Sequence, residues 1–267
     1  MSEKKPVNYS LFDRPEILNF LFYPRPEWSV PQDGENTRTV LIPVADDVVI
    51  GGRFHLAGDT APTILFFHGN GEIVADYDDL APIFVDRGIN FFPVDYRGYG
   101  LSTGRPTVSA MMQDCHRIFD HVLTWRKEKG HTGPFAVMGR SLGSISALEL
   151  AANRGDGIDG LIIESGLAYA LPLLELLGIN ARHLGITEDR GFNNVDKIRG
   201  FHKPTLVIHA QYDHIIPFSD GEALFEASPA ADKRFLMIPG ANHNDIFARG
   251  LDRYMQEVAD FMSRLQK

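Results

Sequence analysis

The chain has 267 residues, of which 44% are apolar and 23% are charged. These fractions lie near the averages of globular domains, so they exclude a disordered or fibrous protein, and the length suits one large α/β domain. With 26 basic and 35 acidic residues the formal net charge is −9. This balance argues against a nucleic-acid partner or an anionic membrane surface, which bind through many phosphate contacts.

Cysteine content and hydropathy bear on where the protein resides. Cys115 is the only cysteine, so an internal disulfide and a thiolate zinc cluster are excluded, as is typical of a reducing compartment. The first residues lack the apolar stretch of a signal peptide. The most apolar segment, residues 167–179, is interrupted by Pro172 and Glu175 and is shorter than the roughly 20 residues that span a bilayer. We therefore expect a cytoplasmic protein with no membrane span.

The predicted elements begin with a proline-rich lead-in and a hairpin. Residues 1–36 contain one short helix near residues 16–22, and alternating apolar residues on both sides of Asp46-Asp47 predict an antiparallel hairpin. Continuous apolar runs, typical of strands buried on both faces, then alternate with amphipathic helical segments. These runs lie at residues 63–67, 89–94, 135–138, 161–163, 205–209 and 234–238. The alternation predicts a doubly wound, mostly parallel sheet with helices on both faces.

One segment is longer than a single crossover helix requires. Residues 165–200 hold a leucine-rich piece followed by a polar, glycine-rich stretch, which predicts a short helical lid inserted over the sheet. We divide the chain into a lead-in of residues 1–36 and an α/β domain of residues 37–267. The lid leucines either face a bound acyl chain or simply dock the insertion on the sheet, and the sequence leaves both interpretations open.

A serine motif stands at the end of the third buried run. Gly139-Arg140-Ser141-Leu142-Gly143 lies between an apolar strand and a helix-prone segment. A nucleophile on a sharp strand-to-helix turn needs small residues two places before and after it, because the turn crowds the backbone. The pattern alone is common, and an unreactive turn serine is the alternative, but its place between strand and helix favours a nucleophilic Ser141.

A serine hydroxyl needs a general base and a group that orients that base. Asp213 follows the fifth buried run and His243 follows the sixth, at the edge of the sheet where catalytic groups collect. The order serine, aspartate, histidine is typical of this kind of site. Other acids do not directly follow a buried run: Asp196, Asp220 and Asp245.

The oxyanion of an acyl-transfer intermediate needs preorganised donors. We expect the N–H of Leu142, next to the nucleophile, and the N–H of Asn70, on the glycine-rich loop after the first buried run, to supply them. His68 and Glu72 are expected to orient that loop.

Further residues are predicted to contact substrate because they flank Ser141 or belong to the lid. They are His68, Gly69, Gly71, Glu72, Tyr99, Arg140, Leu171, Leu174 and His214. The segment Asp95-Tyr96-Arg97-Gly98-Tyr99-Gly100 either walls the pocket or forms a turn held by an Asp95–Arg97 ion pair. His209, within a strand, is expected to be a satisfied sheet residue. No histidines show metal-ligand spacing, so we expect neither a metal nor an organic cofactor.

These motifs together resemble the α/β-hydrolase superfamily of serine hydrolases. The residues that carry the resemblance are His68-Gly69-Asn70-Gly71, the Asp95-to-Gly100 segment, the serine motif, Asp213 and His243, over about residues 40–265. The motifs look like the small-lid branch with acyl-protein thioesterase-like and lysophospholipase-like members. The resemblance implies the α/β-hydrolase fold, with an eight-stranded sheet and one antiparallel strand. It does not fix a substrate and leaves out the first 36 residues.

The residues support a hypothesis of acyl transfer to water. Ser141, with His243 as base and Asp213 as orienting acid, would cleave a small carboxylic ester or thioester through a covalent acyl-enzyme. Two alternatives stay open. One is a peptidase or amidase of the same fold, and the other is a ligand-binding protein that retains the three residues without turnover.

Overall fold

The computed structural model describes residues 7–266, and strands and helices alternate along most of its length. The strands are β1 (Thr37–Ala45), β2 (Val48–His55), β3 (Thr63–Phe67), β4 (Asn90–Val94), β5 (Phe135–Arg140), β6 (Gly160–Glu164), β7 (Thr205–Ala210) and β8 (Lys233–Ile238). The helices are α1 (Pro15–Leu21), α2 (Ala81–Val85), α3 (Val108–Glu128), α4 (Gly143–Arg154), α5 (Ala170–Leu176), α6 (Asn194–Ile198), α7 (Phe218–Ala227) and α8 (Ile246–Arg264). The six apolar runs and the hairpin predicted from the sequence all form strands.

All eight strands belong to one sheet in the order β1-β2-β4-β3-β5-β6-β7-β8. Strand β2 runs antiparallel to both of its neighbours, β1 and β4. The pairs from β4 to β8 are all parallel. The fold class predicted from the motifs, an eight-stranded sheet with one antiparallel strand, is confirmed.

The sheet is buried on both faces because successive side chains of each strand point to opposite sides. In β3, Leu65 and Phe67 join one apolar cluster, which also contains α3, α4 and the lid. Ile64 and Phe66 join the other cluster, which contains α2 and α8. This division explains the continuous apolar run at residues 63–67, since a strand covered on one face alone would alternate.

The lead-in begins with a short 3₁₀ turn and α1, which starts at Pro15 where a proline costs no hydrogen bond. Phe12 and Ile17 are fully buried in the same cluster as α3 and α4. The lead-in therefore packs against the sheet domain, although the sequence motifs do not extend into it.

The predicted Asp95–Arg97 ion pair is wrong. Arg97 instead makes two hydrogen bonds to Asp114 of α3, at 2.7 and 2.8 Å. Asp95 is buried, accepts a hydrogen bond from the Val74 N–H and lies 3.2 Å from the ring of His68. Neighbouring residues on one turn point in different directions here, so the nearest opposite charge in the sequence is not the partner.

Within residues 7–266, no helix is long and apolar enough to cross a membrane. The lid lies between β6 and β7 and contains α5, a 3₁₀ turn and α6. The carboxyl ends of β3, β5, β7 and β8 meet at one edge of the sheet, and the loops that leave them carry the groups described next.

Candidate active site

Ser141 occupies the sharp turn between β5 and α4. Its φ angle is +50°, a left-handed conformation that non-glycine residues adopt mainly where tertiary structure enforces it. A Cβ on Gly139 would lie 2.3 Å from the Gly143 carbonyl oxygen, and a Cβ on Gly143 would lie 2.0 Å from that of Phe67. Both distances are far below van der Waals contact, so the spacing of the two glycines is a steric requirement of the turn.

The structure brings the three predicted catalytic residues together in one hydrogen-bonded chain. The Nε2 atom of His243 lies 3.0 Å from the hydroxyl oxygen of Ser141. The Nδ1 atom of the same ring lies 2.8 Å from Oδ2 of Asp213. Asp213 follows β7 and His243 follows β8, so each group reaches Ser141 from a different loop at the same edge of the sheet.

The environment of Asp213 indicates which ring nitrogen of His243 carries the proton. Burial raises the pKa of this carboxyl, but the hydrogen bonds from the His243 ring and from the N–H groups of Ile215 and Ile216 outweigh burial and lower it. An ionised carboxylate can only accept hydrogen bonds. Nδ1 of His243 is therefore the donor to Asp213, which leaves Nε2 as the acceptor that faces Ser141.

His209 also lies beside Asp213, a proximity that the sequence pattern did not indicate. The ring is fully buried, with Nε2 3.0 Å from the Ile216 carbonyl oxygen and 3.6 Å from Asp213. Burial lowers the pKa of His209, so the ring is neutral at pH 7 and adds no second charge beside the Asp213–His243 pair.

The two predicted oxyanion donors both line the cavity at Ser141. Leu142 precedes the first residue of α4, where backbone N–H groups carry the partial positive charge of a helix N-terminus. Within residues 7–266, neither the N–H of Leu142 nor that of Asn70 is used in a hydrogen bond. Among the described residues, both N–H groups therefore lack a backbone acceptor where they border the cavity.

A cavity of about 220 Å³ opens at Ser141 and His243. Of the nine residues predicted to contact substrate, Gly69 and Glu72 line it. The greater part of its wall is apolar. Three of the lid leucines line it, Leu167, Leu173 and Leu177, together with residues that the sequence did not single out: Phe20, Leu21, Ile215 and Ile216.

The lid leucines that face the cavity differ from those predicted. Leu173 and Leu177, one helical turn apart at the end of α5, line it. Leu174 is 1% exposed and packs into the core, and Leu171 is half-buried against the same core cluster. The prediction chose the wrong face of α5, because leucines occupy most of that helix and its apolar pattern does not define one side.

The other predicted contact residues surround the cavity without lining it. They are His68, Gly71, Tyr99, Arg140 and His214. Tyr99 is fully buried and donates a hydrogen bond of 2.7 Å to Oδ1 of Asn70, while His214 is exposed on the loop after β7. The expectation that these side chains line the cavity is therefore wrong. Tyr99 and Arg140 instead hold residues of the cavity wall in place through hydrogen bonds to Asn70 and Glu72.

His68 supports the glycine-rich loop from beneath. The two nitrogens of its buried ring face acceptors, the Gly69 carbonyl oxygen at 2.8 Å and Asp95 at 3.2 Å. Burial lowers the pKa of His68, but the hydrogen bond and charge of Asp95 outweigh burial and raise it. An N–H on each nitrogen satisfies both acceptors, so this arrangement favours the protonated ring beside Asp95.

Arg140 links two loops of the site and the end of β6 through one guanidinium. It donates to Glu72 at 2.8 Å, to Glu164, and to the backbone carbonyl of His243 at 3.0 Å. Glu72 in turn accepts from the Gly69 N–H at 2.6 Å and from the Tyr77 hydroxyl at 2.7 Å. Burial raises the pKa of Glu72, but Arg140 and its other partners outweigh burial and lower it to about 2. The network joins the Asn70 loop to the His243 loop.

Comparison with known proteins agrees with the fold. A family model described as "Serine aminopeptidase, S33" matches residues 58–180. A solved structure of an esterase from Pyrococcus furiosus superposes with a TM-score of 0.70 at 16% identity, covering 86% of this chain and 93% of that one. The chain belongs to the α/β-hydrolase superfamily.

Two sequence relatives of this α/β hydrolase extend over most of the chain. "Uncharacterized protein YfhR" of Escherichia coli is 27% identical over 256 residues, 92% of this chain and 87% of the relative. Human "Alpha/beta hydrolase domain-containing protein 17B" is 30% identical over 209 residues, 76% of this chain and 66% of the relative. The matched model of residues 58–180 includes Ser141, while α1, Asp213 and His243 lie outside it.

Proposed function

We propose that the protein is a serine hydrolase that cleaves carboxylic ester or thioester bonds through a covalent acyl-enzyme. The observation that carries this proposal is the hydrogen-bonded chain from Ser141 through His243 to Asp213, with Ser141 held at a φ of +50° at the mouth of an apolar cavity. A nucleophile, its base and an orienting acid in contact are the arrangement that acyl transfer requires.

In the first half of the reaction, Ser141 attacks the carbonyl carbon of the substrate. Nε2 of His243 takes the hydroxyl proton, and Asp213 stabilises the imidazolium that forms. The N–H groups of Asn70 and Leu142 bind the oxyanion, a contribution of about 3–4 kcal/mol for each donor in sites of this kind. His243 then gives its proton to the leaving alcohol or thiol.

In the second half, a water molecule replaces the leaving group. His243 takes a proton from the water as the water attacks the acyl-enzyme, and returns it to Ser141 as the carboxylic acid leaves. The side chains that act on protons are the same in both halves, so no further titratable group is needed.

The cavity favours an acyl group as the part of the substrate that the protein binds. Its apolar wall is formed by Leu21, Leu167, Leu173, Leu177 and Ile216, and burial of each methylene contributes about 0.8 kcal/mol. A volume of about 220 Å³ is below the roughly 300–1,000 Å³ of pockets for drug-sized ligands. A short or medium acyl chain therefore fits better than a bulky group.

The charges around the cavity disfavour the aminopeptidase reading that the family description suggests. An aminopeptidase must bind a free α-amino group, which calls for an unpaired carboxylate. Among the described residues, the only carboxylate that lines the cavity is Glu72, and it is bound to Arg140, Tyr77 and the Gly69 N–H. Glu164 is fully buried against Arg140 and Tyr254.

A fluorophosphonate probe tests the proposal and separates an enzyme from a binding protein. We expect the probe to label the wild type, to fail on Ser141→Ala, and to label the control Ser263→Ala, which alters an exposed serine of α8. Absence of labelling in the wild type overturns the proposal and favours a protein that binds ligands without turnover. Equal labelling of Ser141→Ala assigns the nucleophile elsewhere.

A further inference from the structure

Residues 9–27, called here the N-terminal strap, reach the cavity although they lie outside the catalytic motifs. Phe20 and Leu21, at the end of α1, both line it. Leu21 is 3% exposed and belongs to the core, whereas Phe20 is 55% exposed. An aromatic ring that lies on a cavity wall and is open to solvent on one side is available to pack against an apolar ligand.

The beginning of the strap is fixed to the lid segment and to α3. The ring of Phe12 stacks on that of Phe192, with centroids 4.6 Å apart. Asp13 accepts a hydrogen bond of 3.1 Å from the Ser109 N–H at the start of α3. These contacts attach the residues just before α1 to α3 and to the segment that also carries Leu173 and Leu177.

The end of the strap is fixed to the loop that carries the predicted oxyanion donor. The Tyr23 N–H lies 2.7 Å from Oδ1 of Asn70 and 2.6 Å from the Tyr99 hydroxyl oxygen, and that hydroxyl donates to Asn70 at 2.7 Å. Arg25 binds the Gly71 carbonyl at 3.3 Å and pairs with Asp76. The side chain of Asn70 is thus held in place by two donors, one of them from the strap.

We propose that the N-terminal strap is part of the substrate site, with Phe20 as the residue that sets acyl-chain length and the Tyr23–Tyr99 pair as the group that positions Asn70. The proposal rests on the proposed function, since it assumes an acyl chain in the cavity. In this proposal, part of the cavity wall comes from a segment that precedes residue 58, where the match to the family model begins.

The first test changes the size of the ring at residue 20. With p-nitrophenyl esters from acetate to dodecanoate, we expect Phe20→Ala to shift the preferred chain to a longer one and Phe20→Trp to a shorter one. Each shift should change the ratio of kcat/KM between long and short esters by about tenfold, the effect of a small change of volume in a hydrophobic site. The control is Trp28→Ala, since Trp28 is a strap neighbour that is 91% exposed and does not line the cavity.

The second test removes the hydroxyl that holds Asn70. We expect Tyr99→Phe to lower kcat about tenfold with KM within about twofold, because misplacement of a transition-state donor slows the chemical step without weakening ground-state binding. Tyr212→Phe is the matched control, because it removes the hydroxyl of a tyrosine that is 65% exposed and does not line the cavity. Thermal unfolding of each variant separates this effect from a loss of folded protein.

The outcomes distinguish the two proposals. A wild type that hydrolyses no ester and takes up no fluorophosphonate overturns the proposed function, and the role of the strap falls with it. A wild type that hydrolyses esters, together with a chain-length profile that is identical in Phe20→Ala and Phe20→Trp and a kcat unchanged in Tyr99→Phe, overturns the role of the strap alone.

Discussion

The site has two regions that are built differently. The region proposed to carry out the reaction, called here the reactive region, consists of Ser141, His243, Asp213 and the Asn70 loop. It is held by backbone sterics and by a buried network of charges around Arg140. The binding region consists of α1 and α5, and it is held by apolar packing, with side chains such as Phe20 left partly open. Small displacements are thus resisted in the first region and tolerated in the second.

This difference predicts how each region responds to substitution. Changes in the reactive region should abolish activity or cost several kcal/mol of stability, because each group there has several fixed partners. Changes in the binding region should alter selectivity by about tenfold while leaving the chemistry intact.

The largest expected effect follows replacement of the orienting acid. Asp213→Asn should lower kcat about 10⁴-fold, because an amide cannot hold His243 in the tautomer that leaves Nε2 free, nor stabilise the imidazolium. The matched control is Asp245→Asn, which changes a carboxylate on the His243 loop that binds the Asn242 N–H. A kcat for Asp213→Asn within about tenfold of wild type would show that the reactive region does not work as described.

A large loss of stability is expected when Arg140 is removed. Arg140→Gln leaves Glu164, which is 0% exposed, without its cation, and an unpaired buried charge of this kind costs about 3–5 kcal/mol. Urea denaturation measures the change in the free energy of unfolding. Arg249→Gln, which breaks an exposed ion pair to Asp245, should change that free energy by less than about 0.5 kcal/mol. Equal effects of the two variants would contradict the claim of a buried network.

The same network predicts a dependence of stability on acid. The pKa of Glu72 is about 2 in the folded protein against an ordinary 4.5, so between these values the unfolded chain binds a proton that the folded protein does not. Its contribution is full above about pH 4.5 and is lost as the pH falls towards 2. Glu72→Gln should therefore show a shallower loss of stability over this interval, measured by thermal unfolding in a series of buffers. If stability falls with pH equally in Glu72→Gln and wild type, Glu72 does not stabilise the protein through this network.

The smallest effect is expected in the lid and depends on the face of α5. Leu173→Ala should change the ratio of kcat/KM between long and short esters about tenfold, because Leu173 lines the cavity. Leu171→Ala should leave that ratio unchanged, because Leu171 packs against the same core cluster but does not line the cavity. The reverse result would show that the other face of α5 contacts the substrate, as predicted from the sequence for Leu171 and Leu174.

The two regions also differ in how far the sequence predicts them. The positions of Ser141, Asp213 and His243 follow from motifs at strand ends, because the carboxyl ends of parallel strands meet at one edge and glycine is required at fixed places around the nucleophile. The eight strands are likewise predictable, since burial on both faces produces continuous apolar runs.

Side-chain partners across elements are not predictable in this way. Arg97 pairs with Asp114 rather than with Asp95 because the direction of each side chain depends on packing between a turn and α3. The side of α5 that faces the cavity cannot be predicted, because leucines lie on several sides of the helix. Phe20 belongs to no motif. A proline-rich segment before the first strand gives no signal that it returns to the edge of the sheet where Ser141 lies.

The central claim is that Ser141 becomes acylated during turnover. Mixing the protein with a p-nitrophenyl ester, quenching in acid within the first turnover and mapping peptides by mass spectrometry measures this directly. We expect the mass of one acyl group on the peptide that contains Ser141, and none on that peptide from Ser141→Ala. Steady-state hydrolysis by wild type that persists undiminished in Ser141→Ala, with no acylated peptide at any quench time, would contradict it.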